Sequence, residues 1–265
     1  MPNSKRMVRD QAPRHTLPVS TASRERLASA RHATGSPMGD TSGLVGGSAP
    51  IDASNAKQLR PVYELSLVAA LLARAFANDP MLVHADPDPR RRARWLPKLY
   101  RGTARYSQLT GGVELIEGRS AALWLQNQTE PTLLQAIFGG MLGVPFAFGL
   151  RTWFRIARHE AFCTARVRLL CPPRYGYLWL LGVDPAAQRQ GFGRRAVQAA
   201  LESMRARGHQ LCVLKTETPE NVAYYQSLGF ECIDEQVVPS SGIRYWLFSR
   251  AISPAPALPQ RQRTE

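Results

Sequence analysis

The hydrophobic positions along the chain follow two spacings, which predict a mixture of helices and strands. From Leu65 to Ala77 apolar residues recur at helical spacing, until Asp79 and Pro80 end the pattern. A short apolar segment before it, Leu59 to Tyr63, predicts a first strand, and Arg91 to Tyr106 predicts a second amphipathic helix. The first half of the domain is therefore expected to be largely helical.

Strand patterns dominate the following part of the chain. Val113 to Ile116 and Ala121 to Leu125 flank a glycine turn and predict a hairpin. Tyr177 to Val183 is an uninterrupted apolar run, typical of a strand buried on both faces, and Gln210 to Thr216 predicts another strand. Strands that alternate with helices in this way indicate an α/β or α+β domain built on one sheet.

The longest apolar run, Leu133 to Leu150, carries no charge and is long enough to raise the question of a membrane span. Its four glycines and Pro145 weaken a continuous helix. We therefore favour a lid or a wall of the substrate site over a membrane helix, and expect no membrane association.

Composition separates this domain from two tails. Residues 1–56 are rich in Ser, Gly, Pro and Arg and lack apolar periodicity, and residues 252–265 are Pro-rich, so both are predicted to be disordered. The remaining segment, 57–251, can bury one sizeable core, as expected for a chain of 265 residues with 44% hydrophobic content. One folded domain with tails is the prediction.

Charge and cysteines narrow the possible partners. The net charge of +14 suits anionic ligands, but no nucleic-acid-binding motif accompanies the arginine run 90–92, which we interpret as a solvated helix face. The four cysteines show no metal-ligand or disulfide spacing, which predicts free thiols in a reducing cytoplasm and no metal. The sequence gives no information on oligomeric state.

Two glycines mark a strand-to-helix junction. Gly191 and Gly193 follow the apolar strand and precede a helix, and helix N-termini present unpaired amides and a partial positive charge to anions. Arg189, Arg194 and Arg195 add cationic charge. The spacing is neither a P-loop nor a dinucleotide fingerprint, and a plain tight turn would also explain it.

A second segment follows the strand from Gln210 to Thr216. Asn221 suits a helix N-cap, Gly229 suits the C-terminal cap of the same helix, and Phe230 begins another strand. The chain thus repeats a strand, a turn and a helix after the glycine junction.

Together these two segments carry a resemblance to a known family. Gln188-x-x-Gly191-x-Gly193 resembles the pyrophosphate loop of the GNAT N-acetyltransferase superfamily, and Asn221 with the downstream Tyr225-x-x-Leu-Gly-Phe resembles its second signature. Upstream, residues 75–80 and the strand 121–125 resemble a bacterial branch that includes puromycin N-acetyltransferase.

The resemblance implies a GNAT-like fold: a mixed, twisted central sheet flanked by helices and split between two central parallel strands. It also implies acetyl-CoA as cosubstrate, with its pantetheine arm in the split. The implied cofactor-binding residues are Leu181, Gly182, Val183, Gln188, Arg189, Gln190, Gly191, Phe192, Gly193, Arg194 and Asn221.

By the same resemblance Tyr225 is the catalytic candidate, because a phenol near the thioester sulfur can protonate or stabilise the leaving thiolate. Neighbouring Tyr224 is interpreted as a packing residue. The general base is left open: Glu160 and His159 have suitable side chains, but an exposed polar helix face is the commoner explanation. Lys215 stands where relatives often carry a glutamate, which puts transfer of any relative's substrate in doubt.

Three functions remain compatible with the sequence. The first is transfer of an acetyl group from acetyl-CoA to a primary amine of a small molecule by direct attack in a ternary complex. The second is acetylation of a protein lysine or N-terminus. The third is a CoA-binding interaction module without catalysis, which the intact motif residues disfavour.

Overall fold

The structure, a computed structural model, describes residues 62–127 and 148–252. The predicted tail 1–56, residues 253–265 of the predicted tail 252–265, and residues 133–147 of the apolar stretch 133–150 lie outside the described residues. Ile252 is described and buried, so the predicted disorder is wrong at this residue. Within the described ranges, none of the helices combines the length and the apolar character needed to cross a membrane.

Three helices and a strand hairpin come first in the described chain, and helices and strands alternate after them up to a final pair of strands. The helices are α1 (Val62–Ala75), α2 (Pro80–Ala85), α3 (Pro89–Thr110), α4 (Leu150–Leu170), α5 (Phe192–Ala206) and α6 (Glu220–Ser227). The strands are β1 (Gly111–Ile116), β2 (Ser120–Gln126), β3 (Gly176–Val183), β4 (Leu211–Thr216), β5 (Glu231–Val237) and β6 (Arg244–Ala251).

In the described ranges all six strands form one sheet, in the order β1-β2-β3-β4-β6-β5. Neighbouring strands are antiparallel except for β3 and β4, which are parallel. The predicted mixed sheet flanked by helices is therefore confirmed, with its parallel pair at the centre.

The parallel pair is joined only at its beginning. Gly176 pairs with Cys212 and Tyr177 with Val213, and no later pairs join the described strands β3 and β4. The last residues of both strands therefore diverge and leave a wedge-shaped opening in the middle of the sheet.

Alternate side chains of each strand enter cores on opposite faces of the sheet. Ala121 and Leu123 of β2 pack with α1, α2 and α3, whereas Ala122 and Trp124 pack with α5 and α6. A third cluster packs α4, through Val167, on the face of the sheet to which Ala121 and Leu123 point. The helices on both faces hold the split strands at fixed positions.

The start of the domain differs from the prediction. Val62 and Tyr63 lie in the first turn of α1, so the predicted strand over Leu59 to Tyr63 is wrong at these two residues. Asp79 does more than end a helix. Its Oδ1 accepts hydrogen bonds from the amides of Met81 and Leu82 and caps α2.

The predicted solvated arginine run is also wrong at one position. Arg92 is buried, and its guanidinium donates hydrogen bonds to the carbonyl oxygens of Ala77, Asp86 and Pro87. It therefore binds the α1–α2 and α2–α3 connections together, while Arg90 on the same helix is exposed.

We expect Arg92→Met to lower the free energy of unfolding by roughly 2–3 kcal/mol, because three carbonyls, of which that of Asp86 is in a buried hydrogen bond, lose a charged donor. The measurement is urea unfolding followed by circular dichroism. Arg90→Met, in the exposed position two residues earlier, is the matched control and should change stability by less than about 0.5 kcal/mol. Equal stability of the two variants would contradict this role for Arg92.

Candidate active site

The split between β3 and β4 opens into a pocket of about 320 Å³. Its walls come from the α1–α2 connection, α2, α3, α4, β3, the end of β4 and α6. The lining includes Phe76, Asp79, Tyr100, Phe148, Trp153, Glu160, Tyr177, Trp179, Leu181, Lys215, Thr216, Glu217, Asn221 and Tyr225.

The apolar run of β3 is less covered than predicted. Tyr177 and Leu178 are buried, but Trp179, Leu180 and Leu181 are only partly buried because they line the pocket. The interpretation of a strand buried on both faces is therefore wrong for this half of β3. Trp179, Leu180 and Leu181 therefore face the pocket.

A cluster of charges lies in one wall of the pocket. The ammonium of Lys215 is 3.0 Å from Oε1 of Glu160 and 2.5 Å from Oε1 of Glu217. Nε2 of His159 lies 3.2 Å from the same Glu217 oxygen, and its Nδ1 lies 3.0 Å from the hydroxyl of Ser241. The cluster joins α4 to the end of β4.

Burial and pairing set the ionisation of this cluster. Burial by itself would raise the pKa of Glu217, but the Lys215 ammonium and the hydrogen bonds from His159 and Lys215 outweigh it and hold that pKa well below its ordinary value. Burial would also lower the pKa of Lys215, yet the carboxylates of Glu160 and Glu217 raise it well above its usual range. Lys215 and Glu217 are both charged at neutral pH.

These contacts correct two interpretations from the sequence. His159 is fully buried, not part of an exposed helix face, and Glu160 is partly buried against Lys215. Lys215 does not present a free cation to the pocket, because two carboxylates neutralise it. The departure from the glutamate of relatives is thus compensated within this chain.

His159, Cys163 and Glu217 also bring three potential metal ligands within 4.8 Å of one another. However, the Lys215 ammonium already binds the Glu217 carboxylate, and it would repel a divalent cation. Burial raises the pKa of the Cys163 thiol to about 12. The donor set therefore does not fit a metal site.

Asp79 forms another part of the wall. It is partly buried, and burial together with the nearby Glu217 carboxylate raises its pKa to about 6, against the lowering effect of the two amides of α2 and of Lys215. An acid with this pKa is mostly ionised at pH 7 but takes up a proton readily.

On the far side of the split, the predicted pyrophosphate loop joins β3 to α5. Gly191 is the N-cap of α5, with a φ of 81° that favours glycine, and no side chain caps the helix there. Arg189 also has a positive φ, 62°, which is uncommon for a residue with a side chain. The loop curls around the helix N-terminus and leaves its first amides uncapped.

Neighbouring residues hold this loop in place. Oδ2 of Asp184, directly after β3, accepts a hydrogen bond of 3.1 Å from Nε of Arg74 on α1. The hydroxyl of Ser120 donates to the carbonyl of Phe192 at 3.0 Å. Arg195 pairs with Glu117 at 2.6 Å, so part of the predicted cationic charge is engaged within the protein.

Two of the predicted cofactor-binding glycines have packing reasons of their own. A Cβ on Gly193 would lie 2.8 Å from the hydroxyl of Tyr224, and one on Gly182 would lie 2.5 Å from Cδ2 of Leu72. A Cβ on Gly191, in contrast, would meet nothing within 4 Å. Gly191 is thus the glycine whose bare surface faces open space beside the helix N-terminus.

The second signature lies at the other edge of the split. Asn221 is not the N-cap of α6, as predicted, because Pro219 holds that position and Asn221 lies in the first turn. Its side chain instead donates to Oγ1 of Thr216 at 3.1 Å, which ties α6 to the end of β4. Tyr225, on the next turn of α6, lines the same pocket.

The ring of Tyr225 is held among aromatic neighbours, with centroids 5.3 Å from Tyr224, 5.8 Å from Phe230 and 5.8 Å from Phe248. Burial and the neighbouring Tyr224 raise the pKa of its phenol above the ordinary value. Tyr225 therefore stays protonated at neutral pH and can donate a hydrogen bond into the pocket.

The structure thus places Leu181, Asn221 and Tyr225 around one pocket, with the Gln188–Arg194 loop at the end of β3. Sequence reasoning missed two pocket carboxylates. The sequence pattern indicates Asp79 as the end of a helix, although Asp before Pro80 is also a capping signal, and no motif includes Glu217, directly after β4. The position of Glu217 at the end of a central strand was the available signal.

Comparisons with known proteins agree with this geometry. The Acetyltransferase (GNAT) family model matches residues 148–230, which include β3, the loop, α5, β4 and α6. A curated mycothiol acetyltransferase from Saccharomonospora viridis is 35% identical over 69 residues, 25% of this chain and 22% of that protein. The chain therefore spans about a fifth of the length of this curated relative.

The solved structures that resemble this chain include an arylalkylamine N-acetyltransferase 2 from Aedes aegypti. Its TM-score is 0.50, with 15% identity over 73% of this chain and 97% of that one. This likeness concerns the fold. The ribosomal-protein-S18-alanine N-acetyltransferase from Escherichia coli is 25% identical over 31% of this chain and 57% of that one, with a TM-score of 0.27. The chain is thus similar to the GNAT acetyltransferases in sequence over residues 148–230, and it shares its fold with a solved N-acetyltransferase.

Proposed function

We propose that this protein transfers an acetyl group from acetyl-CoA to a primary amine of a small-molecule acceptor, by direct attack of the amine in a ternary complex. The observation that carries the proposal is the opening between β3 and β4, which has an uncapped helix N-terminus at one end and a pocket with carboxylates at the other.

The described residues fit acetyl-CoA on both sides of this opening. The unpaired ends of β3 and β4 leave room for an extended arm beside Leu181 to Val183, and the bare surface at Gly191 leaves room for a diphosphate at the amides of α5. When bound, acetyl-CoA supplies an acetyl group activated as a thioester. The protein contributes position and charge.

A small acceptor fits this pocket better than a protein chain. The charged wall is recessed: the side chains of Lys215 and Glu217 are each only 10% exposed. Trp153 and Phe148 line the same pocket and add apolar surface to it. Acetylation of a protein lysine or N-terminus, or CoA binding without catalysis, are the other outcomes of the test.

The finer assignments belong to this proposal as well. We place the chain in the branch that resembles puromycin N-acetyltransferase, on the residues 75–80 and 121–125, and in a bacterial cytoplasm. The four cysteines are all free, which suits a reducing compartment.

Titration calorimetry with acetyl-CoA, followed by release of the CoA thiol with a panel of small amines and lysine peptides, tests the proposal. We expect binding of acetyl-CoA and thiol release that depends on a small primary amine. Thiol release with peptides alone would favour protein acetylation, and binding without any release would favour the interaction module.

For catalysis, we expect Tyr225→Phe to lower kcat by on the order of 100-fold with unchanged affinity for acetyl-CoA. The substitution keeps the aromatic packing and removes only the hydroxyl that would donate to the departing sulfur. Steady-state kinetics and calorimetry on the same preparation give the two quantities.

Tyr224→Phe is the matched control, because it removes a neighbouring phenol on the same helix. Its hydroxyl lies against Gly193 and has no hydrogen-bond partner among the described residues. We expect its kcat to stay within a few-fold of the unsubstituted protein. Equal rates for both variants would withdraw the catalytic assignment of Tyr225.

A further inference from the structure

The acceptor end of the pocket is apolar over most of its surface. Partly or fully buried side chains from the α1–α2 connection, α3, α4 and β3 form it: Phe76, Leu99, Tyr100, Ile156 and Trp179. Phe148 and the exposed Trp153 line the same pocket. Flat and branched carbon surfaces of this kind favour an apolar ligand body and would leave a second charge on the ligand unpaired.

Charge in this pocket is confined to one wall and is negative in sum. The wall carries the carboxylates of Asp79, Glu160 and Glu217 and one ammonium, that of Lys215. Lys215 binds Glu160 and Glu217, whereas no described side chain pairs with Asp79. Asp79 is therefore the carboxylate left to receive a cation.

The two oxygens of Asp79 have different surroundings. Oδ1 accepts the amides of Met81 and Leu82 at 3.0 and 3.1 Å, which fixes the side chain as the cap of α2. Oδ2 takes no hydrogen bond from any described residue. A carboxylate in a pocket wall that is held by one oxygen and has no protein partner on the other is placed to accept a proton from a ligand.

The groups that face Asp79 set its proton affinity. Glu217 and Lys215 act on it from the end of β4, and Tyr100 lies near it on α3. Glu160 of α4 binds Lys215, and His159 binds Glu217. These two side chains therefore influence Asp79 by way of Lys215 and Glu217. Burial first, and then the Glu217 carboxylate, raise the pKa of Asp79 and favour its protonation, although Lys215 acts in the opposite direction.

An unsatisfied hydroxyl lies in the same wall. Tyr177 of β3 is 1% exposed, lines the pocket, and its phenol oxygen has no hydrogen-bond partner among the described residues. Because a buried hydroxyl without a partner is costly, this position indicates that a ligand completes the site.

Resting on the proposed function, we propose that the acceptor is a monoamine on an apolar body of about the size of an aromatic ring, and that Asp79 accepts the proton which its amino group must lose. The ammonium gives one proton to the Asp79 carboxylate and becomes a neutral amine. Its nitrogen then forms a bond to the acetyl carbon while the carbon–sulfur bond breaks. The second proton lost by the nitrogen balances the one taken up by the thiolate.

The first measurement compares 2-phenylethylamine with putrescine as acceptors for the full-length protein. We expect kcat/KM for 2-phenylethylamine to be higher by at least about tenfold, because the second ammonium of putrescine would be buried without a partner. A preference for putrescine would overturn the assignment of an apolar monoamine.

The second measurement is the pH dependence of kcat/KM in Asp79→Asn. Asparagine caps a helix as well as aspartate does, so α2 should stay folded, but it cannot accept the proton. The unsubstituted protein should lose activity as the pH falls through about 6, where Asp79 becomes protonated. In Asp79→Asn the decrease of kcat/KM at low pH should be absent. At pH 7.5 its kcat/KM should be lower on the order of 100-fold.

Asp88→Asn is the matched control, because Asp88 caps α3 through the amides of Arg90 and Arg91 but is exposed and outside the pocket. Asp88→Asn should keep both the rate and the decrease of kcat/KM at low pH. If Asp79→Asn keeps both the rate and the pH dependence of the unsubstituted protein, Asp79 does not accept the proton. The assignment of an apolar monoamine as acceptor would still stand. If the unsubstituted protein acetylates no amine, while it binds acetyl-CoA, the proposed function fails and this inference fails with it.

Discussion

Gly191→Glu is expected to lose acetyl-CoA binding by roughly 1,000-fold, about 4 kcal/mol, because it places a carboxylate at the helix N-terminus where the diphosphate would lie. A Cβ at this position would meet no protein atom within 4 Å, so the domain should stay folded. The φ of 81° adds strain of about 1–2 kcal/mol. Calorimetry with acetyl-CoA and thermal unfolding measure the two effects separately.

Gly208→Glu is the control for the backbone strain that a side chain at positive φ causes. Gly208 follows the other end of α5, has a φ of 79°, and also has open space around a Cβ. This variant should lose a similar amount of stability and keep its affinity for acetyl-CoA. If both variants bind acetyl-CoA equally well, the helix N-terminus does not hold the diphosphate.

Lys215→Met is expected to destabilise the domain by about 3–5 kcal/mol, because it leaves the carboxylate of Glu217, and in part that of Glu160, buried without their cation. The methionine fills a similar volume, so loss of charge is the main change. Urea unfolding gives the free energy, and Lys98→Met on the exposed face of α3 is the matched control.

A second substitution tests the cause. In the Lys215→Met background, Glu217→Gln removes the uncompensated charge and should recover part of the lost stability, whereas by itself it should destabilise the protein. Strictly additive losses in the double variant would show that the two side chains are not energetically coupled. The inference of a buried, compensated charge pair would then fail.

The sequence was informative wherever a pattern is local. The strand 121–125 and the strand from Tyr177 were predicted because apolar runs between turn residues have few alternatives, and the loop at Gly191 because a glycine before a helix has a clear physical reason. The central parallel pair came from the resemblance, not from the periodicity. Its two strands are separated by a helix, as a parallel connection requires.

The charged wall could not be predicted in the same way. Lys215 lies 55 residues after Glu160 and 58 residues separate His159 from Glu217, so no local spacing relates them. Polar residues on a helix usually face solvent, and only tertiary packing buries His159. The same reason explains the error at Arg92, whose partners are carbonyls in connections that no pattern identifies.

The opening between β3 and β4 also bears on solubility. A strand edge with unpaired backbone groups at the rim of a sheet is a template for another chain to pair with, and proteins usually shorten or charge such edges. Here the two diverging edges lie inside the molecule, between helices on both faces and behind the side chains of the pocket. Backbone donors and acceptors can therefore be kept free for a slender ligand without offering a surface on which the protein could aggregate.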